Sequence, residues 1–276
     1  MKKIVVVLGL FLALITLNAC TSDTDQASND DRKKESNQEI TIYLTRHGKT
    51  ILNTSDLAQG WVDAPLTQPG IDVAESLGKG LADVQFDAVY SSDSGRAIET
   101  AKIVLENSGQ KELFKELNQD TRLREFCYGT FEGTSNEEMA TVVAEKQNLT
   151  YEEWVANITK LGYVNNNRKF ANDLAEIDKS VNTEGATWPA EDYQTVTDRT
   201  KKAIDKIVST AKENGESNVL VVSHGMALAA LLTELNGSDI DVESGLENAS
   251  ISIVNYKNGH FKVKSVNDMS FVEKGK

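Results

Sequence analysis

Four residues with chemistry-bearing side chains follow short apolar runs. Arg46 and His47 come after Ile40-Thr41-Ile42-Tyr43-Leu44, Arg96 after Phe86-Asp87-Ala88-Val89-Tyr90 and a polar link, and His224 after Val219-Leu220-Val221-Val222. Two guanidiniums and two imidazoles suit phosphoryl transfer. The group in flight spreads negative charge over three equatorial oxygens and needs donors aimed at them, and guanidiniums offer forked pairs of hydrogen bonds. A histidine that attacks phosphorus must be neutral, which neighbouring cations favour. Its other nitrogen needs an acceptor, most simply a backbone carbonyl, to fix the tautomer. The leaving oxygen needs a proton, for which Glu125 is the candidate; once ionised, the same carboxylate can draw a proton from attacking water. Glu132 is a nearby rival, although its place before Gly133 suits a structural role in a turn. Losing one charge-stabilising donor costs about 3 to 4 kcal/mol, whereas enhancements of phosphate-monoester hydrolysis approach ~10²¹. The residues must therefore act as a set.

Their positions presuppose a particular scaffold. An apolar run, then polar residues, then helical periodicity is the syntax of buried strands in a parallel sheet. Open parallel sheets bind ligands beyond the carboxyl ends of their strands, where Arg46, His47, Arg96 and His224 would meet. Thr67 with Pro69 predicts a capped helix burying Ile71, Ala74, Leu77 and Leu81. Tyr193, Val196, Thr200, Ala203, Ile204, Ile207 and Ala211 recur at helical spacing before Asn214-Gly215. Asn258-Gly259, between Ala249–Tyr256 and His260–Val266, signals an antiparallel hairpin. The fold class is thus α/β: a three-layer α/β/α sandwich with a mostly parallel sheet, a helical cap inserted at about 134–188 and a C-terminal antiparallel hairpin.

The ordered pieces Thr45-Arg46-His47-Gly48, Asn53, Gln59-Gly60-Trp61, Asp63, Pro65-Leu66-Thr67, Tyr90-Ser91-Ser92-Asp93, Arg96-Ala97, Thr100-Ala101, Leu123-Arg124-Glu125, Gly129, Glu132-Gly133 and Ser223-His224-Gly225 resemble the histidine phosphatase superfamily. The resemblance is to the branch that includes cofactor-dependent phosphoglycerate mutases, and runs from Thr41 to about Leu231. It implies that His47 is phosphorylated, that Arg46, Arg96 and His224 bind the phosphate, and that Glu125 donates the proton. It further implies that Asn53, Gln59 and Gly60 line the mouth of the pocket. Leu52 and Lys49 depart from the family pattern, which bears on the leaving group and leaves the phosphoryl site alone.

The N-terminus has a different logic. Lys2 and Lys3, the apolar run Ile4–Leu17 and Asn18-Ala19-Cys20 have the layout of a secretory signal over residues 1–19, too short for a membrane span. Cys20 stands where a bacterial lipoprotein would carry its lipid, the alternative being a plain cleaved signal with an incidental cysteine. Residues 20–39 read as a lipidated cysteine and disordered tether, and residues 40–276 as the domain. The expected location is the outer face of a bacterial membrane, lipid-anchored or secreted. With Cys20 lipidated, Cys127 has no partner for an intrachain disulfide and reads as a buried spectator.

Loss of Lys2 and Lys3 would take the net charge from −13 to −15, which repels nucleic acid and anionic headgroups. The expected partner is a small phosphorylated substrate, with membrane contact only through the lipid. No cofactor is called for. The histidines lack paired-ligand spacing, so no metal site is expected; His260 reads as surface. There is no G-x-S-x-G elbow and no Walker loop, and no signal of oligomeric state. The reading is a phosphatase acting through phosphohistidine, against a phosphoglycerate mutase-type phosphotransferase and a non-catalytic surface-binding lipoprotein. The stretch Phe126-Cys127-Tyr128-Gly129-Thr130-Phe131-Glu132-Gly133 lies closer to phosphatase relatives than to mutases.

Overall fold

The computed structural model describes residues 38–182, 185 and 187–276. The expected signal, Cys20 and the tether up to residue 37 lie outside the described residues. Gln38 and Glu39, read from sequence as the end of the tether, are held on the domain. Gln38 Nε2 donates to Glu216 O at 2.7 Å, and Glu39 pairs with Lys257 at 3.0 Å. Their polar composition gave no hint of this, because the partners come from distant chain.

One sheet has strand order β3-β2-β4-β1-β5-β6, from β1 (Ile40–Arg46), β2 (Ala88–Ser91), β3 (Asn118–Gln119), β4 (Asn218–Ser223), β5 (Ile251–Lys257) and β6 (His260–Asp268). The strands β3, β2, β4 and β1 run parallel, while β5 and β6 are antiparallel additions. The hairpin turns at Asn258 (φ 52°) and Gly259 (φ 84°), and two successive positive φ values match the right-handed strand twist.

Among the described residues the α-helices are α1 (Ile51–Thr54), α2 (Gln68–Gly80), α3 (Gly95–Asn107), α4 (Asn136–Lys146), α5 (Tyr151–Leu161), α6 (Tyr163–Val181), α7 (Tyr193–Asn214), α8 (Gly225–Asn236) and α9 (Ser270–Lys274). Strand β4 is apolar on both sides because it is covered on both. Val219 and Val221 pack with Ile204 and Ile207 of α7 and Leu228 and Leu231 of α8. Leu220 and Val222 pack with Leu77 of α2, Val104 of α3 and Val272 of α9. This is the layered arrangement that the strand and helix pattern predicts.

Helix α2 is capped by Thr67, whose Oγ1 accepts from Gly70 N at 3.2 Å. Ile71, expected in the core, is only half-buried; Gly70, Gly78 and Gly80 take the buried face instead, bringing the helix against its neighbours. Helices α4 to α6 occupy the segment read as an insertion. Met139, Val143, Trp154, Phe170 and Leu174 share a core with Tyr193 and Val196 of α7 and Ala227 and Ala230 of α8. The three helices therefore rest on the N-terminal ends of α7 and α8, the end at which β4 delivers His224.

Candidate active site

Strand register brings the chemistry together. Arg46 lies opposite Ser223 in the β1–β4 pair and Ser91 opposite Val222 in the β2–β4 pair. The ladder runs on past the strand ends, with His47 N donating to Ser223 O and Ser92 N to Val222 O, both at 3.0 Å. His47 and His224 therefore leave adjacent strands side by side, and their ring centroids are 5.2 Å apart. Arg96, on the first turn of α3, follows β2, the other neighbour of β4.

Hydrogen-bond direction fixes both imidazole tautomers. His47 Nδ1 lies 2.8 Å from Gly48 O, and a carbonyl only accepts, so Nδ1 carries the proton. Arg96 Nε only donates, and it points at His47 Nε2 at 3.3 Å, so Nε2 holds the lone pair. By the same reasoning His224 Nδ1 accepts from Arg96 Nη2 at 3.0 Å, which leaves Nε2 as the donor facing Ser94 Oγ at 3.5 Å. Burial, then Arg96 and Arg46, hold the His47 imidazole well below 6.5. Burial, then Arg96, do the same for His224. Both rings are neutral.

Arg96 is 1% exposed and every N–H of its fork is engaged. Besides the two rings it reaches Gly60 O at 2.7 Å, Val62 O at 2.9 Å and Asp63 Oδ1 at 2.9 Å. Asp93, close to Arg96 in the sequence, takes Arg124 instead. Arg46 is placed differently from Arg96. Its Nη1 donates to Leu246 O at 2.6 Å, and its buried Nε has no partner among the described residues. It influences both rings by charge without lining the cavity described below.

Glu125 is 6% exposed and sits at the start of α8. Its oxygens accept from Ala227 N at 2.8 Å and from Met226 N and Phe126 N at 3.0 Å. Burial pushes this carboxyl up, opposed by the three N–H groups and by Arg96, and the net direction is upward. Glu132 does other work, clamping the backbone N–H groups of Gly60, Trp61, Val62 and Tyr128. That clamp presents Gly60 O and Val62 O to Arg96. Gly60 permits it, since a Cβ there would stand 2.2 Å from Phe126 O.

Of the residues the resemblance placed at the pocket mouth, Gly60 lines the cavity. Asn53 forms a capping box with Thr50 at α1. Gln59 is buried, accepting from Thr50 Oγ1 at 2.5 Å, with Nε2 unpartnered among the described residues. The Asn53 side chain is turned to the loop because the first turn of α1 needs its cap, and Gln59 Oε1 is taken by the capping residue Thr50. Cys127 is buried, its thiol pushed up to about 12 by burial, and His260 is exposed.

Sequence reasoning missed the support behind His47. Asn248 Nδ2 donates to His47 O at 2.8 Å and Ala249 N to Arg46 O at 3.0 Å. Ala249 holds φ 60°, a strained choice for alanine, in a segment that read simply as strand. Also missed was the wall of a cavity of about 320 Å³, where Trp61, Arg124 and Trp188 join Arg96, Glu125 and His224. The quoted pieces Gln59-Gly60-Trp61 and Leu123-Arg124-Glu125 pointed towards it, and nothing pointed to Trp188. Among the described residues no group of three or more His, Cys, Asp and Glu is placed to hold a metal ion.

A family model for the histidine phosphatase superfamily (branch 1) matches residues 42–161 and 157–269. The chain is 30% identical over 220 residues to the probable phosphoglycerate mutase GpmB of Yersinia pestis (strain Pestoides F), covering 79% of this chain and 86% of that protein. It superposes on the phosphoglycerate mutase from Bacillus anthracis str. Sterne with a TM-score of 0.77 and 40% identity, over 88% of this chain and 99% of that one. With a mycobacterial glucosyl-3-phosphoglycerate phosphatase complexed with VO3 it shares the fold alone, at a TM-score of 0.58 and 22% identity over 84% and 99% of the two chains.

Proposed function

The chain belongs to the histidine phosphatase superfamily, branch 1, and on that premise we propose that it hydrolyses phosphate monoesters through a phosphohistidine on His47. The observation that carries the reading is one guanidinium, Arg96, touching both neutral rings, with the His47 Nε2 lone pair turned into the group. In the first step Nε2 attacks phosphorus, the P–N bond forms and the ester P–O bond breaks. Glu125 gives its proton to the leaving oxygen. In the second step water attacks, the P–N bond breaks, and the Glu125 carboxylate takes the water proton, restoring neutral His47. Arg96 and His224 Nε2–H stabilise the equatorial oxygens, the phosphoryl group competing for donors now directed at Gly60 O, Val62 O and Asp63.

A mutase-type phosphotransfer is the second reading, favoured by the names of the relatives at 40% and 30% identity. It uses the same phosphohistidine and returns the phosphoryl group to a retained acceptor. Incubation with an aryl phosphate and with 3-phosphoglycerate separates the two. Steady release of inorganic phosphate is expected; isomerisation of phosphoglycerate with little free phosphate would favour the mutase. His47→Ala should abolish turnover and acid-labile labelling of the protein, and wild-type rates in that variant would remove the mechanism.

We also propose that Cys20 is lipidated after removal of residues 1–19, placing the domain outside the cell on a tether. The support is the charge and hydropathy pattern of the first twenty residues. Incorporation of labelled palmitate that is lost in Cys20→Ser is the expected result, and equal labelling of both forms would refute it.

A further inference from the structure

The cavity beside His224 has a charge balance and an aromatic wall that bear on the leaving group. Two guanidiniums line it, and each is matched by a carboxylate, Arg96 by Asp63 at 2.9 Å and Arg124 by Asp93 at 2.5 Å. The neighbouring guanidinium, Arg199, is bound by Glu191 and by the carbonyls of Arg122, Arg124 and Glu125. With Glu125 a third acid on the same wall, the lining among the described residues has no surplus cation for a second anionic group once a phosphoryl group has been received.

Besides Gly60, Ser94 and His224, the rest of the wall is the two indoles of Trp61 and Trp188. Trp61 is fixed by its Nε1–H to Glu125 O at 3.0 Å and by the Arg124 guanidinium 4.5 Å from its ring centroid. Trp188 lies 5.9 Å from Trp61, ring centre to ring centre, and is 70% exposed. A large ring left open at the edge of a cavity offers a stacking face.

We infer that the site takes monoesters whose leaving group is a flat, uncharged ring packed against Trp188 and Trp61, in preference to leaving groups that carry a second negative charge. This rests on the phosphatase reading above, so the test separates the two. Benzyl phosphate and ethyl phosphate have leaving alcohols of similar basicity, and comparing them isolates the ring from leaving-group reactivity. Benzyl phosphate should be favoured on the order of tenfold in kcat/KM, with 3-phosphoglycerate the poorest of the three. In Trp188→Ala the benzyl-to-ethyl ratio should fall towards one through KM rather than kcat, and Trp188→Phe should restore most of it.

Equilibrium binding of benzylphosphonate and ethylphosphonate, read by tryptophan fluorescence, gives an answer independent of turnover. Tighter benzylphosphonate binding that disappears in Trp188→Ala supports the inference even if no ester is hydrolysed, an outcome that would sink the phosphatase reading alone. Equal phosphonate affinities, or 3-phosphoglycerate as the best substrate, would overturn it while leaving hydrolysis intact.

Discussion

His47 is held neutral by burial and by two guanidiniums, while burial raises Glu125, and the proposed first step needs those two protonation states together. For kcat/KM the acid limb should therefore lie below pH 6.5, since His47 stays unprotonated there. The basic limb should report Glu125 above its usual value near 4.5. Glu125→Gln should remove the basic limb and slow turnover by about 10² to 10⁴-fold; a basic limb surviving in that variant would assign the proton to another group. Arg96 is the other residue that decides the site. A lysine keeps the charge but not the fork that reaches both rings and three oxygens, so Arg96→Lys should lower kcat on the order of 10² to 10³-fold. Arg46→Lys should cost less, because among the described residues the Arg46 side chain makes one hydrogen bond and acts on the rings by charge. Equal losses in the two variants would contradict this division.

At the scale of elements, the segment from Gly60 to Val62 holds its course because one carboxylate, Glu132, gathers four backbone N–H groups. Glu132→Ala leaves those donors without their acceptor in a half-buried place, and hydrogen bonds to a charged group are worth about 1.5 to 3 kcal/mol each. Denaturant unfolding should show a loss of about 3 kcal/mol, and kcat should fall as Gly60 O and Val62 O drift from Arg96. A variant of wild-type stability would mean that the loop is held by its other contacts. This element was legible only in part. The strands and the long helix α7 follow from periodicity, because their apolar residues face cores built from the same pattern. The loop was not, since Glu132 meets partners about seventy positions away.

Across the whole molecule, the buried neutral imidazoles couple the site to stability. Above pH 6.5 neither His47 nor His224 is protonated, folded or unfolded. As pH falls from 6.5 towards their lower folded values, only the unfolded chain takes up these protons. Stability should then decline by up to about 1.4 kcal/mol per pH unit for each ring. Glu125 has the opposite sign, its contribution being full below about 4.5 and lost as pH rises through its higher folded value. Two groups oppose one, so the denaturant midpoint should fall between pH 7 and pH 5, and a His47→Gln, His224→Gln double variant should flatten the curve. A wild-type midpoint that does not move would show that the rings take up protons in the folded state.

The sequence by itself determined the α/β layering and which end of the sheet would gather Arg46, His47, Arg96 and His224. Apolar runs, turn residues and strand direction are local properties written in adjacent positions. Tertiary structure alone decided that Arg96 would join the two rings and that Arg46 would turn to Leu246. It also decided that Asn53 would cap α1 and that Trp188 would meet Trp61. Those outcomes depend on side-chain directions and partners supplied by distant segments, and no local periodicity encodes which donor reaches which acceptor once the chain has closed.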